Sequence, residues 1–419
     1  MVVYHFADSL WQKGILMNTL TDKRQITRLT ILFMLTYMAS YITRINYGAI
    51  ISEMEVSTGI TRDLLSMALT GSFITYGGGQ IVSGILGDRI SPKKLVSLGL
   101  VVTVAMNLLI PLCGNAYAML GVWCVNGFAQ SFMWPPLVRL MTALLTEEDY
   151  KNACTKVSWG SSFGTIAVYL IAPGLIFLAG WKSVFLFSAL CGVAMLLIWW
   201  KLCPDISTQP VQAQPKAAER KPIAALFTPL VLCVMAAIVL QGMLRDGVTT
   251  WMPTYISDTF SLGTGVSILT GVVLPLFSIG CFQLANKLYA GKLNNPLTCA
   301  LLFFGVGALA ALGLYFLGNT SAVVSVALSA LLAGCMHGVN LILICMVPPL
   351  FKKLGIVSTV SGVLNACTYI GSAISTYGIA VLSRHAGWQN TILIWALIAA
   401  AGGGLCLIAA KPWKKTYMT

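Results

Sequence analysis

Charge is scarce in this chain. Only 9% of its 419 residues are Asp, Glu, Lys or Arg, and 57% are hydrophobic; soluble domains carry about a quarter charged residues. With a mean hydropathy of +0.83, that shortage excludes a soluble globular protein. Alternating segments are absent as well, which argues against a β-barrel, whose strands alternate over about ten residues. No C-x-x-C pair occurs. The twelve cysteines stand singly, most of them in apolar segments, as at Cys113, Cys124, Cys191, Cys233, Cys335 and Cys367. They read as small buried hydrophobes, not as metal ligands or disulfides. The N-terminal stretch has no continuous apolar core or cleavage site and is not expected to be a secretory signal. Nothing resembles a nucleophile–base pair, a phosphate-binding glycine loop or metal-ligand spacing. Neither an enzyme nor a cofactor is expected.

What the chain does have is a series of apolar runs of about 20 residues, the length of a bilayer span. Twelve are read, at 28–50, 62–84, 94–113, 117–140, 155–178, 183–202, 225–254, 264–286, 296–317, 321–346, 356–380 and 388–410. With the N-terminus inside, 21 of the 26 Lys and Arg fall on the inner side and three, Arg62, Lys182 and Arg384, on the outer side. That is the positive-inside asymmetry. It predicts an all-α polytopic protein of the cell membrane (plasma or inner), with both termini cytoplasmic. The formal charge of +13 then reports orientation, and nucleic-acid binding drops out.

One long polar stretch, rich in Pro, Gln, Ala and charge, reads as a linker. It divides the chain into a cytoplasmic N-terminal segment 1–27, a six-helix half 28–203, a cytoplasmic linker 204–224, a second six-helix half 225–410 and a tail 411–419. The halves echo each other. Trp134-Pro135-Pro136-Leu137 returns as Val347-Pro348-Pro349-Leu350, offset by 213, and Ala179-Gly180-Trp181-Lys182 returns as Ala386-Gly387-Trp388-Gln389, offset by 207. Shared landmarks in one order point to an internal repeat. Two parallel six-span repeats around a midplane site resemble the major facilitator superfamily.

Two arginines sit deep in apolar runs, Arg44 in the first span and Arg245 in the seventh, 201 positions apart. A guanidinium cannot shed its charge, and at the middle of a bilayer helix it costs roughly 2.5–3.5 kcal/mol or more. Three readings compete. Each arginine snorkels toward a helix end; or Asp246, the only acid well inside any span, neutralises one of them; or the two share an anionic ligand between the halves. Arg245 and Asp246 are adjacent, and helix neighbours point about 100° apart, so they are not expected to face each other. The surroundings favour the anion, since Arg makes bidentate bonds to phosphate. Tyr37 and Tyr41 lie on the same face as Arg44. Asn46 and Tyr76 are further cavity candidates. His337 and Asn340 in span ten are candidates as ligand donors, His337 also as a proton site, though a helix–helix hydrogen bond explains either equally well. Asn365 and Tyr369 in span eleven are similar candidates.

Between spans two and three stands Gly84-Ile-Leu-Gly87-Asp88-Arg89-Ile-Ser-Pro-Lys93-Lys94. It resembles the superfamily loop G-x-L-x-D-R-x-G-R-R/K, with Ser91-Pro92 in place of Gly-Arg. The resemblance implies that Gly84, Asp88, Arg89, Lys93 and Lys94 form a gate latch stabilising the outward-open state; a generic basic turn is the plainer reading.

Tyr41-Ile-Thr-Arg44-Ile-Asn46-Tyr47 resembles the first-span motif Y-x-x-R-x-N-[FY] of the organophosphate:phosphate antiporters, the glycerol-3-phosphate and hexose-phosphate transporters. Arg245 with Trp251-Met-Pro253-Thr254-Tyr255 resembles their seventh-span motif, and Trp134-Pro135-Pro136 their fourth-span W-P-P. The resemblance implies that Arg44 and Arg245 bind a phosphoryl group and that the carrier, expected to be a monomer in the lipid bilayer, exchanges a phosphate ester for inorganic phosphate by alternating access. Two positions depart from it. Gln80 stands where better-known members have a span-two lysine, and Ser161 where they have a span-five histidine. With Asp246 as an extra acid, a proton-coupled organic-anion symporter and a non-transporting membrane sensor of sugar phosphates remain alternatives.

Overall fold

The computed structural model describes residues 20–206, 224–261 and 264–418. Most of the expected N-terminal segment and linker lies outside them. The described residues form helices and no strand. In chain order, α1 is Lys23–Ala49, α2 Arg62–Arg89 and α3 Pro92–Leu109; α4 comes in two pieces, Ala116–Gln130 and Trp134–Leu144; α5 is Glu147–Ala179 and α6 Lys182–Leu202. Then follow α7 Pro229–Phe260, α8 Thr264–Ala290, α9 Pro296–Leu317 and α10 Ala322–Asn340. The arms of Val357–Tyr417 on either side of a bend at Gly387, where φ is 76°, are α11 and α12. Ten helices among the described residues are long and apolar enough to cross a membrane. The expected spans outside that group are α2, diluted by glycine and polar residues, and α4, whose pieces have only 15 and 11 residues.

Local chemistry sets these ends. The side chains of Asn115, Thr146, Thr228 and Asn295 each accept a backbone N–H in the first turn of α4, α5, α7 and α9, removing one orphan donor per helix. The double prolines set the interruptions. A proline donates no N–H, and its ring crowds the carbonyl four residues back. Pro135 and Pro136 stand at the start of the second piece of α4. In the other half, α10 widens into a π turn at Leu341–Cys345 before Pro348–Leu354 forms a 3₁₀ turn. Pro349 leaves the Cys345 carbonyl without its helical donor, and the Tyr150 hydroxyl of α5 supplies one at 2.5 Å.

Packing repeats the sequence symmetry. In one half α1 packs on α5, α2 on α4 and α3 on α6; in the other, α7 packs on α11, α8 on α10 and α9 on α12. The main contacts between halves, α2 with α11 and α5 with α8, also exchange under the repeat. Hydrogen bonds between the halves cluster at the end that carries the basic loops. Asp88 accepts from the Ser358 and Thr359 backbone N–H groups at 2.9 and 2.7 Å and from the Thr359 hydroxyl at 2.7 Å. A carboxylate thus caps the N-terminus of α11, where the helix dipole favours it. Asn286 donates to Asn152 at 2.9 Å, and Lys352 to the Thr142 carbonyl at 2.9 Å.

Of the expected latch residues, Gly84 and Asp88 meet the other half directly. A side chain at Gly84 would strike the Ser358 carbonyl and the Thr359 backbone. Arg89 and Lys94 are exposed, and the Lys93 ammonium lies 5.5 Å from the Trp200 ring. A residue not expected here, Arg139, clamps the loop instead, donating to the carbonyls of Gly87 and Ile90. The backbones of α2 and α11 touch at Gly362, where an added Cβ would collide with the Gln80 carbonyl. Gly362→Val should therefore lower thermal stability by about 1–3 kcal/mol, the usual cost of overpacking. Thermal unfolding of the purified protein checks this, and an unchanged midpoint would show that the two backbones are not in contact.

Candidate substrate-binding site

The first helix is fixed from behind by a polar network. Asn46 donates to Asn107 Oδ1 at 2.7 Å, and its own Oδ1 accepts the Tyr47 backbone N–H at 2.9 Å. The Thr43 carbonyl accepts from Asn107 at 3.0 Å and from Asn126 at 3.2 Å. Gln130 donates to the Thr43 hydroxyl at 2.8 Å and accepts from Ser40 at 2.5 Å. This ties α1 to α3 and α4 through buried side chains. Asn46 is thus occupied inside the first half, behind Arg44, with Asn107 as its side-chain partner. Sequence reasoning missed Asn107, Asn126 and Gln130. Each is an amide inside an apolar run, which in lipid requires a partner.

The opposite face of α1 carries the charge. The Arg44 guanidinium lies over the rings of Tyr41 and Tyr76, 4.3 and 4.6 Å from their centroids, a cation–π arrangement. It donates to the Tyr369 hydroxyl of α11 at 3.4 Å. The Tyr369 ring also faces Arg245, 5.9 Å from its guanidinium carbon. The two arginines, from α1 and α7, therefore converge on one tyrosine. Tyr37 packs on Tyr41 and on Trp134, and Tyr76 packs on Tyr369.

Asp246 does not behave as expected. It binds the Arg245 fork with both oxygens, Nε to Oδ1 at 2.7 Å and Nη2 to Oδ2 at 2.8 Å. The 100° rule holds for the Cβ directions, but three methylenes let the guanidinium swing round to its neighbour. The Ser372 hydroxyl of α11, another group that the sequence did not single out, donates to Asp246 Oδ2. Arg245 is held by a carboxylate and Arg44 by aromatic rings, so the pair of arginines carries one net positive charge with Asp246.

The remaining candidates divide. His337, Asn340, Asn365 and Ser161 line a cavity together with Tyr37, Tyr41, Arg245 and Tyr369. His337 stacks edge-on against Phe282, and Ser161 donates to the Ser158 carbonyl at 2.7 Å. Gln80 is fully buried on α2, and neither atom of its amide has a hydrogen-bond partner. The central cavity is only about 20 Å³, room for about one water. Its own side chains fill it, and a larger ligand requires them to move. A larger cleft of about 190 Å³ lies at the basic end. Its cations are already used, Lys151 by Glu147 at 2.7 Å and Lys352 by the Thr142 carbonyl at 2.9 Å. Of the two arginines, Arg245 lines the smaller cavity, and Arg44 reaches it through Tyr41 and Tyr369, which do. Asn107→Leu should leave the cavity's charges in place yet strand Asn46, at a cost of about 1–3 kcal/mol. A thermal midpoint equal to that of the unmodified chain would count against the network as the anchor of α1.

Comparisons with known proteins agree with this arrangement. The chain is 24% identical over 421 residues to the membrane sensor protein UhpC of Salmonella typhimurium, covering 92% of each. It is 24% identical over 247 residues to a glycerol-3-phosphate transporter of Bacillus subtilis, covering 53% of this chain and 55% of that one. In fold it is similar to the proton:xylose symporter XylE, with a TM-score of 0.73 at 13% identity over 95% of this chain and 97% of that chain. The sequence model of the Major Facilitator Superfamily matches residues 32–376, and with twelve long helices among the described residues packed as two related sets of six, the chain belongs to that superfamily.

Proposed function

We propose that this transporter moves a small organic anion, a phosphate ester such as a sugar phosphate or glycerol phosphate, in exchange for inorganic phosphate. The observation that carries the reading is the convergence of Arg44 and Arg245, one from each half, on Tyr369. Relatives named as phosphate-ester transporters support the substrate class. A phosphoryl group has the charge and the oxygens to take over the contacts that Asp246 and the tyrosines now make, since Arg binds it bidentately. Bound to both arginines, it joins the halves and offsets their two charges. Only an interaction stronger in the occluded state speeds the rocking step.

Membrane topology completes the proposal. With positive-inside orientation in the cell membrane, the Asp88 latch and both termini lie on the cytoplasmic side. The latched arrangement is then the outward-facing one, and release to the cytoplasm requires α2 to part from α11 and α5 from α8. The protein acts as a monomer, because each half supplies one arginine to a single site.

Two observations favour second readings. Asp246 on the Arg245 fork favours proton-coupled symport, with a proton on Asp246 releasing the arginine for the anion. The Ser372 hydroxyl of α11 donates to the same carboxylate. Relatives that match nearly the whole chain and are named membrane sensors favour a sensor that binds sugar phosphates without moving them.

In proteoliposomes loaded with inorganic phosphate, external labelled phosphate should exchange without a proton gradient. Arg44→Lys and Arg245→Lys should each abolish exchange while the protein remains folded; full exchange by both would sink the reading. Asp246→Asn separates the mechanisms. Under antiport it keeps exchange that is indifferent to an uncoupler. Under symport the unmodified chain loses uptake with the uncoupler, and Asp246→Asn loses that dependence. Ligand binding with no flux of any kind identifies the sensor.

A further inference from the structure

The helix interruptions in α4 and α10 bring a second pair of donors to the cavity. Trp134 begins the second piece of α4, directly after its break. Asn340 ends the regular part of α10, directly before the π turn. Both residues line the central cavity. In both, a buried side-chain N–H group, Trp134 Nε1 and Asn340 Nδ2, has no hydrogen-bond acceptor. Other indole N–H groups among the described residues also go unpaired, but Trp134 is the one that lines this cavity. Trp134 comes from the first half and Asn340 from the second, as Arg44 and Arg245 do, although the double-proline landmark pairs Trp134 with Val347.

The level of Trp134 in the bundle follows from Tyr37, and Asn340 lines the same small cavity. The Trp134 ring packs on Tyr37 with centroids 5.0 Å apart, and Tyr37 lies seven residues from Arg44 on α1. At 1.5 Å rise per residue that is about 10 Å along the helix, toward the latched end. A buried N–H without an acceptor costs about 1–3 kcal/mol. π turns concentrate at functional sites.

We infer that Trp134 and Asn340 are specificity-determining donors that bind acceptor oxygens on the body of the substrate, about two helical turns from the phosphoryl group held by the arginines. The inference rests on the phosphate-ester reading. It selects esters whose hydroxyl or ring oxygens lie far from the phosphorus, as in a hexose phosphate. It disfavours alkyl phosphates of the same length, which leave both donors unpaired; sites built to hydrogen-bond a hydroxyl discriminate strongly against analogues that lack it.

The test is competition against labelled inorganic phosphate bound to the purified full-length chain, a measurement indifferent to whether the protein transports. Glucose 6-phosphate should displace phosphate at least tenfold better than hexyl phosphate. Trp134→Phe and Asn340→Leu should each weaken glucose 6-phosphate by roughly tenfold more than they weaken inorganic phosphate, about one hydrogen bond. Equal displacement by glucose 6-phosphate and hexyl phosphate overturns the inference without any variant having to fold. So do variants that weaken both ligands alike. Absence of phosphate binding to the unmodified chain overturns the phosphate-ester reading and the inference with it, an outcome distinct from the other two.

Discussion

Two guanidiniums inside an apolar bundle, Arg245 buried and Arg44 half-buried, cannot lose their protons, so the rest of the centre is organised around keeping them solvated by protein. The two solutions differ. Arg245 takes a carboxylate from its own helix, and that carboxylate takes a hydroxyl from α11. Arg44 takes aromatic faces and a single phenol oxygen. On the proposed anion-binding reading, every group that neutralises either arginine is one that an entering anion must replace. The first exchange breaks a bidentate ion pair, the second only weaker contacts. On that reading an arriving anion would meet its readier partner in Arg44, and pairing with Arg245 would mark the fuller commitment of both halves.

The scaffold behind these charges uses polar side chains where lipid would forbid loose ones. Amides on α3 and α4 grip the carbonyl of Thr43 and hold α1 by the face opposite Arg44. Prolines perform the complementary task in α4 and α10. By removing N–H donors they break the regular ladder, and what they free is used again, as when the Tyr150 hydroxyl takes the Cys345 carbonyl across the boundary between halves. The same residues that interrupt a helix thus link it to its moving neighbour.

Much of this was legible in the sequence. Twelve apolar runs, the shared landmarks and the loop around Asp88 correspond to twelve helices, mirrored packing and a capped helix end. Arg44 and Arg245 stood out because charge in an apolar run is costly wherever the chain folds. The rest depended on distance in space rather than along the chain. Neighbouring Cβ directions predicted that Arg245 and Asp246 would point apart, yet a long side chain with a planar fork overrides that rule. Ser372 completes the pair from 126 positions away. Asn46 carried a motif position but faces Asn107, and no pattern along α1 says which side of the helix the amide takes. Arg139 looked like one more inner-side cation, and only the fold shows it holding the carbonyls of the latch loop.

Gln80 invites a last consideration. It lies fully buried where α2 meets α11, with its amide unpaired, and the hydroxyls of Ser358 and Ser361 across and along that seam are unpaired as well. Each such group forgoes water when the seam closes. Parting the helices would hydrate all three at once and return part of the energy spent in pulling Asp88 from its cap. The closed end is therefore held by the Asp88 cap and by the Asn286–Asn152, Lys352–Thr142 and Tyr150–Cys345 hydrogen bonds, and is loosened by the groups the seam leaves thirsty.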